Sequence, residues 1–405
     1  MANLPNPEFT VGERIAFFRS RKRGMTQEVL GGLVGRTGDW MGRVERNVIG
    51  IDSIKMLVKI KTALGVRNLS DLTGDIYLPL TEDDGPEHPA VAGIRRALYT
   101  QPSRLAANAT QVLEPAEVAQ RVDEVWKVYE HDTVRYSVIG PLLPNLLAEV
   151  HAAAAADEEA ARPLISCYHL LQVFLRRIGE RALSQIAADR ALSLADQIGD
   201  PELIAASVWN VCSILTNLGH VEESADLALA TIDQYQPGPD ASPSYLAAVG
   251  ALHLSASIAS VRADAGPRAW DLNKRAQKIA DRIGGDTNHW RTSFGPTNVG
   301  MHRVHLAAEE SDPRAALRYA DTVKVNTDLP LERITRYYIE MMHAHRLNQD
   351  LMGTMYVARR IIKISPEEAK LHPLMRSAAV DLLARMRPTH QDEARKIAAH
   401  VGVLS

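Results

Sequence analysis

In a chain of 405 residues with only 5% aromatic content, one segment stands apart: HWRTSFGPTNVGMHRVHLAAEE, starting at His289. It gathers Trp290, Arg291, Phe294, Asn298, His302, Arg303 and His305. Guanidinium forks pair with oxyanions, an amide both donates and accepts, and rings cover the apolar part of a ligand. Such a set suits a small polar molecule or a peptide terminus. The competing reading makes Trp290 and Phe294 staples that pack one helix pair onto the next. Gly295 and Pro296 should break the chain before a new helix, with Thr297 as its cap. His302 and His305 share a helical face without a third ligand nearby, and His343 and His345 face differently. All four therefore read as surface histidines, and no metal site is assigned. The sequence has no Gly-rich phosphate loop, no H-E-x-x-H and no nucleophile elbow. No catalytic residue and no cofactor are assigned, and a non-enzymatic role is expected.

A second constellation lies at the other end, in GMTQEVLGGLVGRTGDWMGRVERN, residues 24–47. Thr26 suits a helix N-cap, Leu30, Leu33 and Val34 form a stripe at helical spacing, and Gly35 ends that helix. Thr37 caps the next, whose apolar face is Trp40, Met41 and Val44, leaving Gly38, Asp39, Gly42, Arg43 and Arg46 outside. Two short helices around a glycine turn, the second with a polar outer face, predict a helix-turn-helix. Upstream, Val11, Ile15 and Phe18 share one face. Downstream, Ile54, Leu57, Val58, Ile60 and Leu64 turn inward until Gly65. Residues 1–75 hold twelve Lys/Arg against eight Asp/Glu, a surplus of four, so the remainder carries −7 of the net −3. A basic head on an acidic body implies that the head alone meets a polyanion.

Residues 11–66 resemble the phage-repressor-like DNA-binding domain of xenobiotic-response-element type, closely its actinomycete form. The residues that carry this are the RGMTQEVL run, the GRTGDW turn and VERN. The resemblance implies binding to double-stranded operator DNA as a homodimer. Gln27 at a helix N-terminus, the Arg19, Arg21, Lys22, Arg23 cluster and Arg46 would hold phosphates. Arg43 would reach a guanine edge, and Arg36 and Thr37 would touch backbone or bases. Gly38 and Asp39 depart from the Arg, Ser or Gln often found there. Asp39 would accept from a cytosine amino group but is repelled by phosphates, so DNA shape should carry more of the specificity.

The elements that must position the first cluster are helical. Hydrophobic content is 46%, mostly Ala, Leu, Ile and Val, and no alternating strands with hairpin signals occur. Polar IYLPLTEDDGPEHP, residues 76–89, reads as a linker. From residue 90 to 405 the chain repeats itself: ADQIGD at Ala195 is echoed by ADRIGGD at Ala280. Helix ends near Ala195, Ala230, Ala280, Ala320 and Ala358 predict paired helices in a solenoid, which resembles tetratricopeptide repeats. In SVWNVCSILTNLGHVEESADLALATI, helix, Gly219 turn and helix follow in order, with Ser224, Ala225 and Ala228 small where helices cross. Residues 163–198 form another unit, pivoting on Gly179. QPGPDASPS lengthens one connection. Asn210 looks like the repeat-family asparagines that hold a ligand's peptide backbone; a solvated or locally bonded Asn is the alternative.

The expected fold is therefore all-α, a five-helix head (1–75), a linker (76–89) and a repeat body (90–405) that dimerises and senses a peptide or small signalling molecule. A protein partner docked on the repeats, or a scaffold that no longer binds DNA, are the other readings. Cys167 and Cys212 read as buried core thiols. No eighteen-residue uninterrupted apolar run and no apolar leader core are found, so a cytoplasmic protein without membrane contact is expected.

Overall fold

The computed structural model describes residues 9–51, 54–66, 69–73, 88–325 and 328–404. The chain is all-helical, with no strand among the described residues. Most of the expected linker, residues 76–87, lies outside them.

The head is built from α1 (Val11–Ser20), α2 (Gln27–Leu33), α3 (Gly38–Glu45), α4 (Ile54–Leu64) and α5 (Leu69–Thr73). Thr10 and Glu13 close a capping box on α1, and Thr26 and Thr37 accept the first free amides of α2 and α3. Ile15, Leu30, Met41, Leu57 and Ile60 are fully buried in a core of the head's own. Leu33 departs from expectation. It is 61% exposed, since on this short helix the core is reached only by Leu30 and by Val34 just past its end.

The body opens with α6 (Val91–Tyr99), α7 (Pro102–Ala106), α8 (Pro115–His131), α9 (Arg135–Ile139) and α10 (Leu143–Ala156). Helix pairs follow: α11 (Ala161–Arg177) with α12 (Arg181–Ile198), α13 (Pro201–Leu218) with α14 (Val221–Gln234), and α15 (Pro243–Arg262) with α16 (Gly266–Ile283). Next come α17 (Pro296–Glu309) with α18 (Pro313–Thr322) and α19 (Leu331–Leu347) with α20 (Leu351–Ile364). The chain closes with α21 (Pro366–Leu371), α22 (Pro373–Arg385) and α23 (Gln391–His400). α13 shows how a unit is punctuated. Asp200 caps its start, Pro201 occupies the first turn, and Gly219 ends it at φ +84, a conformation that costs glycine nothing. The repeating alanines Ala195, Ala280, Ala320 and Ala358 fall on the second helices of their pairs and are buried. A methyl side chain there lets the helix axes come close.

Two features go beyond a row of pairs. First, the arc curls until its beginning touches its end. The Arg135 guanidinium donates to Ser365 Oγ at 2.8 Å, the Tyr136 amide to Glu367 Oε2 at 2.8 Å, and the Tyr136 hydroxyl to Glu368. Arg177 of α11 pairs with Glu332 of α19 at 2.8 Å. Second, the head rests on the body. Lys59 of α4 pairs with Asp264, just past α15, at 3.0 Å, and Leu69 of α5 lies over Gly219, where a Cβ would stand 3.0 Å from its Cδ2.

Two stretches, Arg135–Ala156 and Pro243–Arg262, have the length and apolar composition of membrane spans. Both are mostly buried inside the protein, as core helices of a helical body are.

Candidate functional site

The first helices of successive pairs face inward. Together with α8 and the loop from Trp290 to Ser293, they wall a cavity of about 230 Å³. α8 gives Trp126, Tyr129 and Glu130; α11 gives His169, Arg176 and Arg177; α13 gives Trp209 and Asn210. α17 adds Asn298 and His302, and α19 adds Glu332, Arg333, Arg336 and Glu340.

The loop is held in an unusual backbone. Trp290, Arg291 and Ser293 have φ of +55°, +58° and +49°. Left-handed backbone at non-glycine residues costs about 1–3 kcal/mol each and persists only where surrounding bonds over-determine it. They do here: Thr287 N–H donates to Phe294 O (2.9 Å), Asn288 Nδ2 to Glu130 Oε1 (2.7 Å), and Trp290 Nε1 to Glu202 Oε1 (2.7 Å). Arg291 donates to Glu130 (3.2 Å) and to Asp123, with its guanidinium 5.4 Å from the Trp126 ring. Burial raises the Glu130 carboxyl, and Arg291 and Asn288 pull it back.

Of the sequence-derived ligand set, Asn210, Trp290, Arg291, Asn298 and His302 line the cavity, as does His305; Phe294 and Arg303 do not. Phe294 is fully buried and fills the space left by the missing side chain of Gly250. Arg303 lies one residue, about 100° of helix, past His302, and donates instead to Asn273 Oδ1 (3.1 Å) and Gln277 Oε1 (2.9 Å) of α16. Asn210 is locally bonded, its amide donating to Ala206 O at 3.0 Å. Asn298 is a hub of the cavity wall. It donates to Thr292 O (3.2 Å), accepts from Arg333 Nε (2.6 Å), and its carbonyl accepts from His302 Nδ1 (2.9 Å). Gly295, rather than Thr297, occupies the N-cap of α17, and the Thr297 amide is taken by Asp286 Oδ1 at 3.0 Å.

The histidines are not on the surface. His343 is buried, and His302, His305 and His345 are half-buried. Desolvation, reinforced by Arg333, pushes His302 down to about 3. Burial pushes His151, His169 and His253 down to about 4. An unfolded histidine titrates near 6.5, so the unfolded chain takes up protons first. The stability these four contribute is complete above pH 6.5 and is lost as pH falls toward 4 and below. Thermal melts should therefore drop steeply between pH 6.5 and 4.5, above the range where carboxylates protonate. His169→Gln should flatten that slope by about one proton, or about 1.4 kcal/mol per pH unit; an unchanged slope would remove His169 from the account.

Sequence reasoning missed Trp126, Tyr129, His169, Arg176, Arg333 and Arg336. They lie on three helices far apart in the chain, and the only local sign was Arg-Arg at the end of an apolar helix.

At the head, the structure separates the cations expected to bind phosphate. Arg19 is bound to Glu45 at 2.5 and 3.0 Å, and Gln27 Nε2 donates to Glu45 Oε2 at 2.7 Å, so one carboxylate ties α1 and α2 to the end of α3. Lys22 donates to Ala63 O at 3.1 Å, at the C-terminal end of α4. Arg21 stacks on Phe17 at 3.4 Å, and the Arg36 guanidinium sits 5.7 Å from the Trp40 ring. Thr37 is spent capping α3 by accepting from the Trp40 amide, and Asp39 is exposed in its first turn. Arg23, Arg43 and Arg46 are exposed, without an ion-pair partner among the described residues.

No family model matches the chain, and no curated protein matches it. A match among solved structures is the crystal structure of BtubC (BKLC) from P. vanneervenii. It is 13% identical, with a TM-score of 0.38, over 54% of this chain and 86% of that one.

Proposed function

We propose that this protein is a DNA-binding regulator. Its head reads duplex operator DNA through α3, two copies pair as a homodimer through their bodies, and a peptide or small-molecule signal in the cavity changes DNA affinity. One observation carries the reading: the helices that wall the cavity also end against the head. α13 brings Trp209 and Asn210 to the wall and stops at Gly219, beneath Leu69. α15 brings Ser255, Ile258 and Arg262 and stops just before Asp264, the partner of Lys59. A ligand that prefers one arrangement of these helices changes the head's equilibrium by the same free energy. A cavity of about 230 Å³ suits a small ligand or a peptide end better than a protein partner.

In the head, the exposed Arg43 fork matches guanine O6 and N7, while Arg23 and Arg46 suit phosphates. With Arg19, Gln27 and Lys22 engaged internally, their part is to hold the helices in place. If about six phosphates are neutralised per dimer, log affinity should fall against log salt with a slope near −5. Arg43→Ala should cost about 1–3 kcal/mol at one base pair and relax preference there, and Arg23→Ala should weaken all sequences alike. The test is a titration of the full chain with duplex DNA at several salt concentrations. Absence of binding at low salt, or binding indifferent to salt, overturns the proposal.

A further inference from the structure

The cavity holds a cation that has no ion-pair partner among the described residues. Arg176 lines it, and its Nε is buried without a hydrogen-bond partner. No carboxylate among the described residues reaches ion-pair distance of its guanidinium. Burial first, then neighbouring Arg177, pushes Arg176 down to about 9, still well above neutrality, so it stays charged. Arg333, which also lines the cavity, donates to the neutral amide oxygen of Asn298, with Glu332 and Glu340 near enough to favour its charge. The other guanidiniums near it are matched: Arg177 by Glu332, Arg262 by Glu309 and Arg291 by Glu130. Burying a charge without a counter-charge costs several kcal/mol, and a ligand that supplies the counter-charge recovers it.

We propose that Arg176, with Arg333 lining the same cavity, binds the free carboxylate of a small aromatic-bearing monoanion. Three features choose that chemistry. Guanidinium forks pair with carboxylates through two parallel bonds. Glu130, Glu332 and Glu340 share the wall and repel a dianion such as a phosphate ester, while Arg176, with no carboxylate at ion-pair distance among the described residues, accommodates a single charge. The rest of the wall carries Trp126, Trp209, Trp290 and Tyr129, which offer faces and edges to a ring. The carboxylate comes either from a free aromatic acid or from the last residue of a peptide. This rests on the sensor reading of the cavity, but it stands independently of DNA binding.

The experiment uses the full chain without DNA. Three of its five tryptophans line the cavity, so their fluorescence reports occupancy. N-acetyl-phenylalanine and the tripeptide N-acetyl-Gly-Gly-Phe are titrated beside their C-terminal amides. The expected result is saturable quenching by at least one acid and at least tenfold weaker binding of its amide. Quenching by both acids identifies a free acid as sufficient, and quenching by the tripeptide alone identifies a peptide end. Arg176→Met should abolish the discrimination between acid and amide while melting no lower than wild type, because it removes a half-buried guanidinium whose Nε has no hydrogen-bond partner. Should that variant fail to fold, Arg176→Lys keeps the charge without the fork and should bind the acid at least tenfold more weakly. Equal binding of acid and amide, no binding of either acid, or full acid binding by the Arg176 variants overturns the proposal. Loss of DNA binding with these results intact would instead remove the regulator reading and leave the carboxylate site.

Discussion

Arg135→Ala should destabilise the protein by about 3–5 kcal/mol and let the arc of helix pairs open. Arg135 is fully buried, with its guanidinium about 6 Å from the rings of Tyr129 and Tyr136. It donates to Tyr129 O at 3.4 Å and to Ser365 Oγ at 2.8 Å. Its charge also faces Glu368, itself 3% exposed, whose other partners are the Tyr136 hydroxyl and Arg336 at 3.9 Å. Removing one member of a buried charged network leaves the others desolvated and uncompensated, and that penalty dominates the cost. Because these bonds join residues more than 200 positions apart, the loss should appear as geometry too. Urea denaturation gives the energy, and small-angle scattering should show a larger radius of gyration at urea concentrations where the variant is still folded. A variant as stable and as compact as wild type would mean that the closure is held elsewhere.

Phe294→Ala should cost a similar amount, about 3–5 kcal/mol, by leaving a void in a fully buried site. The companion change is more telling. Gly250 sits in the middle of α15, where replacing glycine by alanine ordinarily stabilises a helix by about 1 kcal/mol. Here a Cβ would stand 2.1 Å from the Phe294 ring, so Gly250→Ala should destabilise instead. In the double variant the new methyl meets no ring, and the two costs should fall short of their sum by about 1 kcal/mol or more. Strict additivity in a double-mutant cycle would show that the ring and the glycine are not packed on each other. Since Phe294 lies behind the cavity wall, its effect on a ligand should come only through the Trp290–Ser293 loop that it anchors.

The sequence by itself determined the local structure. Thr26, Thr37, Gly35, Gly65 and Gly219 mark helix ends because capping and left-handed backbone depend on residue type within a few positions. The alanine echoes at Ala195, Ala280, Ala320 and Ala358 mark second helices because close crossing demands small side chains, whereas Ala230 on α14 is exposed and marks no such crossing. The inward set Asn210, Trp290, Arg291, Asn298 and His302 was legible as polar and aromatic groups where the rest of the chain is aliphatic. What only the tertiary structure decided is which charges are left over. Arg19, Gln27 and Lys22 read as free contacts in a linear sequence, yet Glu45 and the Ala63 carbonyl lie 18 to 41 positions away and occupy them. Phe294 and Arg303 read as part of a ligand set, but a glycine 44 residues earlier and an amide on α16 claim them. Arg176 was inconspicuous until the arc closed and placed it in a cavity whose carboxylates pair with other groups. Pairing of charge is a property of distances in space. A helical repeat fixes the direction of each side chain from its own helix, while the number of its partners follows from the curvature accumulated over the whole array.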